Sequence, residues 1–237
     1  DDGFSALASA IGEGQRILNG MQDILRVFLT RILTLGMLIL VLMTSGFFPV
    51  DLRNASAITL FTVGIPTAML AIWARPGPFP GESLLRTLAK FVLPAAALAS
   101  IVGLLVVTGI FLIGDADFDA GLVTEEMVEN SAKTSVTVFL ILVGMLVVIF
   151  VEPPVKFLAV IEPLSPDWRP TWLALSLTAA LGIVLLVPPF RDFFNLYPLS
   201  IRDLAIVFAG VLTWAVLVWI FWRWRFVERF LGADVKS

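Results

Sequence analysis

Residues 55–74 read Ala55-Ser56-Ala57-Ile58-Thr59-Leu60-Phe61-Thr62-Val63-Gly64-Ile65-Pro66-Thr67-Ala68-Met69-Leu70-Ala71-Ile72-Trp73-Ala74. The run holds no charge and has the roughly 20 residues that a helix needs to cross ~30 Å of hydrocarbon. Its centre nevertheless carries Gly64 and Pro66. Proline has no amide hydrogen to give, and glycine weakens a helix interior. Unpaired backbone groups are costly in lipid, so a break at mid-depth is tolerated where the freed backbone faces protein or a cavity. The stretch therefore carries two expectations: the chain crosses a membrane, and one crossing is interrupted where a ligand could meet it.

The remaining sequence agrees with that class. Of 237 residues 59% are hydrophobic, and the mean hydropathy is +0.97, which a water-soluble domain of this length does not reach. Long apolar runs place spans near 27–48, 55–74, 91–114, 134–151, 171–188 and 204–222. They are continuous rather than alternating, which excludes a closed β-barrel. The expected fold class is all-α: an integral membrane six-helix bundle over 27–237, preceded by an amphipathic linker over 1–26. Arg31 is the only charge inside a span. Its stem can snorkel to the headgroups; alternatively it is a tethered positive charge in a cation pocket, or the partner of a carboxylate on another helix.

Basic residues set orientation. Arg16, Arg26, Arg75, Arg86, Lys90, Lys156, Arg169, Arg223, Arg225, Arg229 and Lys236 fall on one side of the crossings, and Arg53, Lys133, Arg191 and Arg202 on the other. Both termini are thereby expected in the cytoplasm, in a multi-pass protein of the cell membrane. The net charge of −3 does not enter that count. The chain has no cysteine and no histidine, which excludes disulfides, thiolate metal sites and imidazole relays. No nucleic-acid signature is present. The polar segment up to Asn19 reads either as an interfacial helix or as a stiff connection to something cytoplasmic.

Asp1-Asp2-x-Phe4, followed by Glu13-Gly14-x-Arg16-Ile17 and Asn19, resembles the junction between the phosphorylation domain and the fifth transmembrane helix of P-type cation-transporting ATPases. Thr62-x-Gly64-x-Pro66 falls where that family has its unwound, ion-binding sixth helix. Ala71-Ile72-Trp73-Ala74-Arg75-Pro76 is similar to the end of that helix in a bacterial branch of calcium-type pumps. The resemblance implies a fragment holding helices five to ten of an ATP-driven pump, with calcium as the favoured ion. The phosphorylated aspartate and the sites for ATP and magnesium would lie upstream of Asp1, so the fragment itself would not hydrolyse ATP. Its partners would be the lipid bilayer, the transported cation and the N-terminal domains of the same parent.

The ion site departs from the family pattern of carboxylate and amide ligands. The matching positions read Thr59, Thr62 and Val63 on the sixth helix and Arg31-Ile32-Leu33-Thr34-Leu35 on the fifth. The candidate ion-path residues are thus Thr34, Thr59 and Thr62, beside a helix break at Gly64 and Pro66, with further ligands supplied from helices outside the chain. Two other classes stay open: an ATP-independent transporter or channel module, and a structural membrane subunit. The last four spans read as support for the first two.

After the third span, Asp115, Asp117, Asp119 and Glu126 are spaced as positions 1, 3, 5 and 12 of a calcium-binding loop. Position 6, which such loops fill with glycine, is Ala120, and Gly121 follows it. The segment reads as a weak external calcium site or as a solvated acidic loop. Asn54-Ala55-Ser56 matches a glycosylation sequon at a membrane edge. Prolines at 76, 78, 80, 153, 154, 163, 166 and 170 punctuate the loops. Trp172, Trp214, Trp219, Trp222 and Trp224 are expected as interfacial anchors near span ends.

Overall fold

The computed structural model describes residues 2–76, 84–161, 164–165 and 167–224. Asp1, Pro78, Pro80, Pro163, Pro166, Arg225, Arg229 and Lys236, which entered the sequence reading, lie outside the described residues. Within them the elements run α1 (Asp2–Met43), α2 (Leu52–Thr59), a π-helical segment (Leu60–Gly64), α3 (Ile65–Trp73), α4 (Leu84–Asp119), α5 (Glu125–Val151), α6 (Arg169–Leu186), α7 (Pro188–Phe193) and α8 (Ile201–Arg223). Six helical rods are long and apolar enough to cross a membrane, with α2, the π segment and α3 forming one of them. The protein is an all-helical membrane bundle, as its composition implied.

The rods do not coincide with the spans read from hydropathy. α1 continues without a break from Asp2 through the first span, so the polar N-terminal segment and the membrane helix are one rigid element of about 63 Å at 1.5 Å per residue. It ends before residue 48, because Gly46 takes φ +78° and the chain turns back. α6 stops at Leu186, where Pro188 opens the short α7 instead of continuing the span.

α5 is the centre of the bundle: 83% of its most apolar window is buried, against 22% for those of α6 and α8. From Val138 to Val151 it is apolar around its whole circumference, the pattern of a helix with neighbours on every side. In lipid those neighbours associate through close packing rather than hydrophobic transfer, and small residues admit it. A Cβ on Gly114 would lie 2.3 Å from Val128, and one on Gly210 would lie 2.6 Å from Val106. These glycines bring α4 against α5 and α8 against α4.

Two tryptophans expected at the interface belong to the core instead. Trp214 is fully buried, and its Nε1 donates to the Ala95 carbonyl at 3.0 Å. Trp222 is buried against Phe91 and Phe150. Trp172 and Trp224 remain exposed.

Side chains that the basic-residue count assigned to one side meet others of that side. At the end carrying Arg16, hereafter the basic end, Arg16 donates to the carbonyls of Ala74 (3.0 Å) and Ile72 (3.1 Å), and Asn19 donates to that of Arg75 (3.1 Å). α1 thereby satisfies carbonyls at the C-terminus of α3, which no helical amide can reach. At the opposite end Lys133 bridges Glu129 (2.8 Å) and Asp51 (3.7 Å). Asn54 is buried there, and its amide nitrogen, in the orientation that satisfies it, faces the carbonyls of Phe194 and Asn195. A glycan has no access to it.

Candidate functional site

Pro66 cannot donate to the Thr62 carbonyl, the bond an α-helix would require at that place. The chain answers with one wide turn rather than the unwound break expected from the sequence: the Ile65 amide donates to the carbonyl of Leu60, five residues back. Helical continuity is kept, and Pro66 sits in the first turn of α3, where a missing amide hydrogen costs nothing. Single π turns of this kind are concentrated at functional sites.

The π turn borders a partly open cavity of about 20 Å³, lined by Thr30, Arg31 and Thr34 of α1, by Thr62, and by α5 around Val143 and Gly144. That volume accommodates about one water-sized particle. Each threonine hydroxyl in the wall has turned its hydrogen back onto its own helix: Thr30 donates to Arg26 (2.7 Å), Thr34 to Thr30 (2.7 Å) and Thr62 to Ile58 (2.6 Å). With the proton committed, a hydroxyl offers lone pairs. Most of the cavity wall is apolar, from Val27, Leu35, Ile58, Leu140, Val143 and Val147, and the three hydroxyl oxygens are its few neutral acceptors.

Arg31 adds a fixed positive charge. Its Nη2 donates to Thr59 Oγ1 at 2.6 Å, crossing from α1 to α2, and its buried Nε has no partner. Snorkelling is thus not its conformation; the guanidinium is half-buried beside the cavity. Among the described residues no carboxylate pairs with it.

Of the residues singled out from the sequence, Thr34 and Thr62 are brought together in the cavity wall. Thr59 is exposed at the rim, donating to Ala55 (2.7 Å) while it accepts from Arg31. Gly64 ends the π segment and Pro66 follows it. Two wall residues were not anticipated. Thr30 is four residues before Thr34 and so shares its helix face, a signal present in the sequence. Gly144 is the one glycine of α5, and nothing in the sequence shows which helix it faces.

The acidic segment does not form a calcium loop. α4 runs on through Asp119, so Asp115, Asp117 and Asp119 belong to a helix, and Glu126 lies in the first turn of α5 behind its N-cap Thr124. Gly121, with φ +72°, ends α4: its amide donates to Phe118 (2.8 Å) and that of Leu122 to Asp117 (2.9 Å). This is the glycine-terminated bond pair that closes many helices, and it explains why the glycine stands one place late for an ion loop. Asp117 is 3.8 Å from Arg202. Among the described residues no three acidic, histidine or cysteine side chains are gathered to hold a metal ion.

The basic end holds a second polar cluster. Arg75 donates to Asp167 (2.8 Å), the Asp167 amide donates to Ser165 Oγ (3.1 Å), and Ser165 Oγ donates to Glu152 (3.0 Å). Burial raises the Glu152 carboxyl above its ordinary pKa; the Ser165 hydrogen bond and Arg75 oppose the shift, and the neighbouring Asp167 adds to it. The chain of bonds ties the end of α3 to the end of α5 and the start of α6.

No protein-family model matches the chain, and no curated protein matches it.

Proposed function

We propose that this chain supplies part of the ion path of a cation transporter, as helices five to ten of an ATP-driven P-type pump in the cell membrane. The observation that carries the transport reading is the π turn at Thr62, seated on a mostly apolar cavity into which three threonine hydroxyls bring oxygen and which also holds the sole arginine inside a predicted span. The resemblance of the Glu13–Asn19 and Thr62–Pro66 stretches supports the pump form of that reading. ATP and magnesium then act on domains upstream of Asp1. The excess of arginine and lysine at the basic end supports cytoplasmic termini.

In this reading a cation sheds its water on entry, exchanging it for the hydroxyl oxygens of Thr30, Thr34 and Thr62. Arg31 opposes it. Two unit charges 4 Å apart repel by about 4 kcal/mol at an effective dielectric of 20, so the ion and the guanidinium exclude one another unless Arg31 releases Thr59. The arginine thus acts as a tethered charge that holds the site when no ion is there. Three neutral oxygens fall short of the six to eight, usually including carboxylates, that calcium takes. If calcium is the ion, its remaining ligands come from helices outside this chain.

The pump reading requires an Asp-Lys-Thr-Gly phosphorylation sequence in frame upstream of Asp1. Its absence from the parent gene overturns the pump and leaves an ATP-independent transporter. In a parent that carries it, cation-dependent formation of a phosphoenzyme is the expected activity.

A further inference from the structure

A Cβ built on Gly144 would lie 2.5 Å from Cγ2 and 2.8 Å from Cβ of Thr62, and 3.7 Å from its Cα. The first two separations are shorter than real side chains hold, so no other residue fits at 144 without moving the π turn or α5. Thr62 has little freedom to yield. It is buried, and rotation about χ1 would break the 2.6 Å bond to Ile58. The wide turn is therefore seated on the one position of α5 that has no side chain, and both residues line the same cavity.

From this contact we infer that Gly144 is the residue that sets the bore of the ion path, restricting it to a single dehydrated cation. The inference rests on the transport reading given above. A cavity of about 20 Å³ holds about one water-sized particle, so it has no room for an ion together with a shell of several waters. What replaces the shell is the oxygen of Thr62, and Gly144 decides how near α5 brings that oxygen to Thr30 and Thr34. Gly144 is a positioning residue: it touches no ion itself and acts through Thr62.

The absence of cysteine from the chain permits a test that does not depend on transport. A single Thr34→Cys reporter, placed in the full chain in lipid vesicles, is exposed to silver ion, which reacts bare, and to a bulky methanethiosulfonate. Silver should react and the bulky reagent should not. Adding Gly144→Ala should slow silver by at least about tenfold, the effect expected from overpacking a close contact. Adding Thr62→Ser as well, which deletes the Cγ2 methyl but leaves the 2.8 Å approach to Cβ, should restore part of the rate, as expected when the contact with Thr62 carries the effect. If the alanine variant does not fold, the comparison of Thr62→Ser with Thr62→Ser/Gly144→Ala carries the same test, with a slower rate expected in the latter. A silver rate unchanged by Gly144→Ala in a folded protein overturns the inference, as does equal reaction with the bulky reagent. The expected labelling, together with a full-length parent of otherwise wild-type sequence that transports no cation, refutes the transport reading and leaves the role of Gly144 in place.

Discussion

Thr62→Val separates the ligand role of the site from its structural role. Valine keeps the branched shape and the methyl group packed on Gly144, and removes only the hydroxyl that donates to Ile58 at 2.6 Å. A net hydrogen bond is worth about 1 kcal/mol, and the Ile58 carbonyl keeps its place in the helix, so the folded state should lose no more than about that. The ion should lose more. A polar contact to a charged group is worth about 1.5–3 kcal/mol, which at 1.4 kcal/mol per decade is roughly a 10- to 140-fold weaker apparent affinity. Thr213 is exposed on α8, away from the cavity, so Thr213→Val should leave affinity unchanged. The assay is cation-dependent phosphoenzyme formation in the full-length parent, titrated with calcium, magnesium, manganese and monovalent ions. Equal affinities for wild type and Thr62→Val across every ion would refute the reasoning.

Other consequences lie at the basic end. The carboxyl of Glu152 is raised above its ordinary value of 4.5, so its relative contribution to stability is fully present below the unfolded-state pKa. That contribution fades as pH rises through the folded-state value. Glu152→Gln should therefore flatten the decline of thermal stability between pH 4 and neutrality and make the protein at least as stable as wild type at about pH 7; a variant less stable at neutral pH would count against this. Gly20→Val should push α1 off α3, because a Cβ there would lie 2.7 Å from Cβ of Ala74. A cost of about 1–3 kcal/mol in a detergent melt is expected, and a change under about 0.5 kcal/mol would show that the two helices part without strain.

The spans were legible because lipid imposes one rule on every long helix: uninterrupted apolar length. Helix ends were less so, because what stops them is local. α1 halts at the positive φ of Gly46, α4 at Gly121, and α6 before Pro188; a hydropathy window does not sense these stops. The Asp115–Glu126 spacing suggested a loop, since a ligand pattern is read without knowing whether the backbone has already become helical. At the candidate site, Thr34, Thr62 and the effect of Pro66 could be read along the chain, although the proline produced a π turn in place of a break. The third wall could not be read. From Val138 to Val151 α5 is uniformly apolar, and that Gly144 faces Thr62 depends on how the rods pack. The exposure of Arg31 to Thr59 likewise depends on the distance between two helices, which sequence spacing does not encode.

In the transport reading, the cavity between Thr34 and Thr62 receives the transported ion. Locating the ion by anomalous diffraction tests this most directly, in crystals of the full-length parent grown with thallium(I) and separately with manganese(II). A peak is expected within ligand distance of the hydroxyls of Thr34 and Thr62 for the transported class of ion, with Arg31 moved away from Thr59. Ion peaks elsewhere in the membrane region, with none in this cavity and Arg31 still bound to Thr59, would contradict it.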